Sequence, residues 1–366
     1  MTPFIRNTLG DAMSRLKSSD VAGATAAIQR GLAGRALMST QPPTRSDIAS
    51  GPFDRPRRLG EILKALKDNR AQFAPGATTS KDHVSFEGGR NSNARIFRNA
   101  AGSLGYKLHV PNVPTGRKRA LVLMLHGCTQ DPDDFACGTG MNALADEFGL
   151  VVAYPHQPRS ANAQGCWNWF DVRHQKRGFG EPAVLAGMAE ALAKEFAIDC
   201  DRVYVAGLSA GGAMAEVLSA TYPDVFAAVG VHSGLPYGAA SDVMTAFAAM
   251  KGNAKAATAH SATRNRKIVF HGSADVTVHP SNGERVFNAA RGSNTGLQEL
   301  TSHLRTSGKS VVRTVIAPSS GRAVAELWQI EGGGHAWSGG NPAGSFADAD
   351  GPDASREMIR FFLEDE

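Results

Sequence analysis

Cysteine is scarce in this 366-residue chain, which has four: Cys128, Cys137, Cys166 and Cys200. None forms a CxxC pair or falls at a Cys/His ligand spacing, so neither a zinc site nor another metal is expected. Long apolar runs are missing too. No stretch approaches the ~20 residues of a membrane span. The opening MTPFIRNTLGDAMSRLKSSD has neither the continuous apolar segment nor the small-residue cleavage site of a secretory leader. A cytoplasmic protein is expected on that ground, free or granule-associated, with an extracellular location as the alternative.

Basic runs interleaved with aromatics are also lacking, and aromatics make up only 7% of the chain. The net charge of +5 is unevenly placed: residues 1–82 hold 13 Lys and Arg against 7 Asp and Glu, so the other 284 residues sum to −1. Basicity therefore belongs to the N-terminal segment, and nucleic acid is not an expected partner.

What is present divides at about residue 82. Before it, Ile5, Leu9, Met13 and Leu16 share a helical face, residues 21–32 continue as an Ala-rich helix, and residues 34–58 have the Pro, Arg, Ser and Thr content of a linker. Leu59, Ile62, Leu63 and Leu66 mark another amphipathic helix. Residues 1–82 thus read as a basic helical arm, either packed on the remainder or docked on a granule or anionic surface. From residue 91 to 366 the pattern changes to alternating strands and helices. Strands are expected at 105–110, 120–125, 150–154, 203–206, 226–231, 267–270 and 327–330, with helices at 134–148, 182–196, 210–222, 242–250, 281–291 and 353–364. The run ALVLMLHG is apolar without alternation, as in a strand covered on both faces. The expectation is an α/β catalytic domain with a mostly parallel central sheet flanked by helices.

The chemistry lies at strand ends. In VYVAGLSAGGAM, Ser209 follows a short β-prone run and precedes a helix-prone one, with Gly207 and Gly211 two residues to either side. That is the setting of a nucleophile elbow, where a Cβ at either glycine would collide with neighbouring backbone. A serine hydroxyl needs a base, and the base needs an orienting carboxylate. KIVFHGSADVTVHP places Asp275 just beyond a strand, and ELWQIEGGGHAWSGG places His335 in a glycine-rich loop after another. His232, His260, His279 and His303 fit the order Ser, Asp, His less well and are expected to be structural or superficial. An oxyanion needs two amide donors, expected from Ala210 and from Cys128 in LMLHGCTQDPDD. In GCWNWFD, Trp167 is expected to wall a cleft for an acyl chain or ring. Cys128 and Cys166 both fall in loops of this site, which leaves a disulfide between them open.

Seven ordered segments, LHGCTQDPDDFA, NALADEFGLVVAYP, CWNWF, VYVAGLSAGGAMA, VGVHSGLPYG, FHGSADVTVHP and GGGHAWSGG, together resemble the poly(3-hydroxybutyrate) depolymerase family of esterases, relatives of feruloyl and acetylxylan esterases. The resemblance covers about residues 95–365. It implies an α/β-hydrolase fold, a cofactor-free serine mechanism with Ser209, Asp275 and His335, oxyanion donors at Cys128 and Ala210, and short hydroxyalkanoate or other acyl and aryl esters and polyesters as substrates. A Thr-rich or fibronectin-like linker and a C-terminal polymer-binding module, expected in secreted members, are not seen, so attack on crystalline polymer is not expected. A feruloyl or acetylxylan-type esterase and a peptidase or acyl transferase on the same scaffold are the enzymatic alternatives. A non-enzymatic granule-surface protein is disfavoured by the complete triad.

Overall fold

The computed structural model describes residues 94–112, 119–253, 265–292 and 296–364. The arm expected at residues 1–82 lies outside them. No helix among the described residues is long and apolar enough to cross a membrane.

Ten strands form one sheet: β1 (Ala94–Asn99), β2 (Gly102–His109), β3 (Ala120–Leu125), β4 (Leu150–Pro155), β5 (Val203–Leu208), β6 (Ala228–His232), β7 (Arg266–Gly272), β8 (Leu297–Thr306), β9 (Lys309–Pro318) and β10 (Ala325–Ile330). Their order is β1-β2-β4-β3-β5-β6-β7-β10-β9-β8. The central strands from β4 to β10 run parallel, and the outer pairings, β1 with β2, β2 with β4, β10 with β9 and β9 with β8, are antiparallel.

The helices are α1 (Pro132–Thr139), α2 (Met141–Phe148), α3 (Gly180–Glu195), α4 (Ala210–Thr221), α5 (Val243–Met250), α6 (Ser281–Arg291) and α7 (Ala354–Leu363). Every residue of β3 and β5 is buried. Alternation explains how: Leu121, Leu123 and Leu125 join one apolar cluster with side chains of α3, α4, α5 and α6, while Ala120, Val122 and Met124 join a second with α1, α2 and α7. Each face of the central sheet thus has its own helical cover, so a strand needs apolar residues at every position. Such a sheet exposes little but its strand ends, and the loops there are what remains available for chemistry.

Two expectations need correction. The single helix expected at 134–148 is two, because Gly140 adopts the left-handed conformation (φ 62°) and ends α1 through its N–H on Ala136 O. The long antiparallel hairpin β8–β9 was not anticipated. Its outer strand, β8, is the sheet edge and carries exposed or half-buried polar side chains at seven of ten positions, so the apolar signal of that half is weak.

Candidate active site

Ser209 joins β5 to α4 with φ 56° and ψ −116°, a positive-φ conformation that costs a non-glycine residue energy. Packing imposes it. A Cβ on Gly211 would overlap the Leu125 carbonyl, and one on Gly207 would overlap Gly211 backbone, so the elbow closes only because both positions are bare. The Ser209 N–H donates to His232 O at 2.9 Å, fixing the turn to the end of β6. The serine itself is half-buried, reachable from solvent at the start of a helix.

Strand register brings the other loops to the same edge. Leu208 pairs with His232, His232 with Phe270, and Gly272 with Ile330, so the chain leaves β5, β6, β7 and β10 at one level. The loops after β7 and β10 are tied by Ser273 N–H to Ile330 O and Ala274 N–H to Gly333 O, both 2.9 Å. Across this crossing His335 Nδ1 meets Asp275 Oδ2 at 2.7 Å. The carboxylate only accepts, so the proton sits on Nδ1 and leaves Nε2 as an acceptor, the form a general base requires. The structure therefore joins Asp275 and His335 directly and sets Ser209 on the same edge. Among the described residues the serine hydroxyl and His335 share no hydrogen bond, a contact that commonly tightens only with substrate bound.

Asp275 is fully enclosed. Its Oδ1 accepts the N–H groups of Thr277 (2.9 Å) and Val278 (2.8 Å), and His271 Nε2 approaches Oδ2 to 3.4 Å. Burial opposes ionisation, but the His271 and His335 N–H groups and the Val278 amide outweigh it and hold the carboxyl well below the usual carboxylate range.

The loop after β3 supplies the opposite wall. A Cβ on Gly127 would sit 3.7 Å from Ser209 Cβ, so this turn lies directly against the elbow. The Gly127 N–H donates to Gln130 Oε1 (2.9 Å) and the Thr129 N–H to Gln164 O (2.7 Å). Between them, among the described residues, the Cys128 N–H has no acceptor, and neither has that of Ala210. His126 braces the turn: Nδ1 donates to Gly127 O (2.8 Å) and Nε2 accepts from Gln157 N (3.2 Å). Burial pushes its pKa down to about 4 against the pull of the Gly127 carbonyl, so it is a neutral strut.

Trp167 does not line a cleft. Its side chain has 0% exposure, with the indole N–H donating to His126 O at 3.1 Å and the ring against the His126 imidazole. It supports the Cys128 turn from below. The open disulfide question is answered by a bond between Cys128 and Cys166. Cys137 and Cys200 are free. His232 is a buried structural residue. Its Nε2 accepts the Ser338 N–H at 3.0 Å, and burial, with the nearby His271 and His335, pushes its pKa down to about 3.

Two residues of the site were not anticipated. Phe346 is 46% exposed and stands edge-on to the His335 ring at 6.5 Å between centroids. Its loop is held by Ser345 N–H to Asp134 Oδ1 (2.7 Å) and by Gln130 Nε2 to Ser345 O (2.9 Å), so Gln130 links it to the Cys128 turn. His271 is the other; a histidine four residues before a loop aspartate at a strand end was the available signal. Among the described residues no cluster of His, Cys, Asp or Glu is arranged to hold a metal.

Comparison with known proteins agrees with the motif reading. Residues 104–263 match the family described as Esterase PHB depolymerase. Poly(3-hydroxyalkanoate) depolymerase C of Paucimonas lemoignei is 35% identical over 199 residues, 51% of this chain and 47% of that protein. Poly(3-hydroxybutyrate) depolymerase of Ralstonia pickettii is 35% identical over 185 residues, 48% of this chain and 36% of its own. A probable acetylxylan esterase A of Aspergillus fumigatus is 30% identical over 230 residues, covering 57% and 59%. The matched stretches thus span between 36% and 59% of the length of these relatives. Among solved structures, the acetyl xylan esterase from Aspergillus awamori superposes with a TM-score of 0.51 at 22% identity over 63% of this chain and 89% of that one, which establishes the shared α/β-hydrolase fold.

Proposed function

We propose that this chain, whose residues 104–263 match the PHB depolymerase esterase family, is a serine carboxylic-ester hydrolase that works through an acyl-enzyme. The observation that carries the reading is the 2.7 Å Asp275–His335 hydrogen bond at the strand edge where the Ser209 elbow stands. In this mechanism His335 Nε2 takes the Ser209 proton as the oxygen attacks the ester carbonyl. The Cys128 and Ala210 N–H groups receive the developing oxyanion, and Asp275 steadies the imidazolium. His335 returns the proton to the departing alcohol. Water, deprotonated by the same imidazole, then releases the acid and restores the serine.

The proposed substrates are short 3-hydroxyalkanoate oligomers, amorphous polyester and related acyl or aryl esters. Relatedness to depolymerases supports the hydroxyacyl class. Phe346 takes the place first given to Trp167 as the apolar wall beside the base, because it is exposed and adjacent to His335. A Cys128–Cys166 disulfide favours the extracellular alternative, since such bonds persist in oxidising compartments. Docking of residues 1–82 on a granule or anionic surface rests on their net charge of +6. Hydrolysis rates on p-nitrophenyl esters of increasing chain length, an amorphous poly(3-hydroxybutyrate) suspension, acetylated xylan and peptide anilides test the assignment. Turnover of hydroxyalkanoate esters above all others supports it, and preference for xylan acetate or anilides overturns the substrate class.

A further inference from the structure

His271 is the penultimate residue of β7, almost fully buried, and has no place in the proton transfers above. Its Nε2 lies 2.8 Å from Val278 O and 3.4 Å from Asp275 Oδ2. Both neighbours are acceptors, so the proton belongs on Nε2. The ring therefore holds the two ends of one turn. Asp275 Oδ1 closes that turn on the amides of Thr277 and Val278, and His271 ties its carboxylate and its last carbonyl to the strand below. The other edge of the imidazole is fixed as well: a Cβ on Gly283 of α6 would come within 2.7 Å of Nδ1, so the helix leaves room for the ring and no more. Nδ1 itself is buried without a hydrogen-bond partner. A histidine is held here for what Nε2 reaches.

We propose that His271 is a positioning residue for the reaction. Its Nε2–H fixes the turn that carries Asp275 and shares Oδ2 with His335, setting both the direction of the carboxylate and how much of its charge the catalytic imidazole receives. This inference rests on the reading of Asp275 as the acid of the triad. The other titratable group near the pair is His232 at the end of β6; α6 presents the bare backbone of Gly283 there.

The test compares His271→Gln with His271→Asn. Glutamine carries its N–H₂ at the reach of Nε2, whereas asparagine carries it at the reach of Nδ1 and leaves Asp275 and Val278 without the donor. Loss of a hydrogen bond to a charged group predicts that His271→Asn lowers kcat on a soluble p-nitrophenyl ester by roughly 10- to 100-fold, with KM changed by less than about 2-fold. The acid limb of its pH profile should move to higher pH, because a carboxylate stripped of one donor stabilises the His335 imidazolium more. His271→Gln should keep kcat within about 3-fold and the limb in place. Equal behaviour of the two variants, or lower melting temperatures with kcat and pH profile unchanged, overturns the proposal. If the asparagine variant does not fold, the glutamine variant decides: wild-type kcat and profile support the proposal, and loss of either overturns it. Asp275→Asn measured alongside separates the two claims. An active Asp275→Asn refutes the acid assignment, whereas an inactive Asp275→Asn beside a wild-type-like His271→Asn refutes this inference alone.

Discussion

Asp275→Asn changes one atom, and the structure dictates which way the new amide faces. Oδ1 of Asp275 accepts two short backbone N–H bonds, from Thr277 at 2.9 Å and Val278 at 2.8 Å, while Oδ2 accepts one short bond from His335 at 2.7 Å, with His271 Nε2 farther off at 3.4 Å. Asparagine has a single acceptor oxygen. Turning its N–H₂ toward the turn would set it against two donors in a buried site, so the oxygen stays there and the N–H₂ faces His335 Nδ1. Nδ1 must then accept, the imidazole proton moves to Nε2, and the atom that should take the Ser209 proton no longer can. A wrong-tautomer base costs about 10⁴-fold in kcat, or about 5.4 kcal/mol at 1.36 kcal/mol per tenfold, with little change in KM. Steady-state hydrolysis of p-nitrophenyl butyrate at neutral pH, with calorimetry to confirm folding, provides the measurement. The native carboxyl is held well below the usual range, so its contribution to stability is intact at neutral pH and fades only as pH falls below about 3.9 toward the folded value. It stays ionised across the assay range. A folded Asp275→Asn enzyme with kcat within tenfold of wild type would refute this reasoning.

Four further outcomes follow from particular contacts. Trp167→Ala removes a fully buried indole and should destabilise by about 3–5 kcal/mol without regard to acyl size. Phe346→Ala should spare the melting temperature and raise KM more for aromatic than for acetate esters, which melting curves and a substrate panel resolve. The Cys128–Cys166 bond closes a separation of 38 residues, so Cys128→Ser/Cys166→Ser should lose up to about 4 kcal/mol of stability by urea titration yet retain measurable turnover, because the proposed donor is a backbone amide. Lys267 and Glu216, 1% and 2% exposed, pair at 2.7 Å between β7 and α4; Lys267→Met alone should cost about 3–5 kcal/mol, and Lys267→Met/Glu216→Leu far less, since only the single change strands a buried charge.

The sequence carried the parallel core and the order of the site because both depend on local signals. Apolar runs such as ALVLML mark strands covered on two faces, and the glycines around Ser209 mark a turn that only bare backbone can close. Trp167 was misread for a tertiary reason. It lies in a polar, glycine-flanked loop, and it is buried against the turn of His126 and Cys128, about 40 positions earlier in the chain. Phe346 was equally hidden, since its place beside His335 depends on Gln130 and Asp134, more than 200 positions away. The β8–β9 hairpin escaped because its outer strand, β8, is a sheet edge and needs little apolar surface.

The central claim is that Ser209 is the nucleophile of an ester hydrolase, and a fluorophosphonate probe followed by mass spectrometry addresses it most directly. The account predicts one adduct, on Ser209, forming in step with loss of p-nitrophenyl ester hydrolysis. In Ser209→Ala the adduct should be absent and turnover roughly 10⁴-fold or more lower, with melting temperature preserved. Labelling at another residue, or hydrolysis that survives in the folded Ser209→Ala protein, would contradict it.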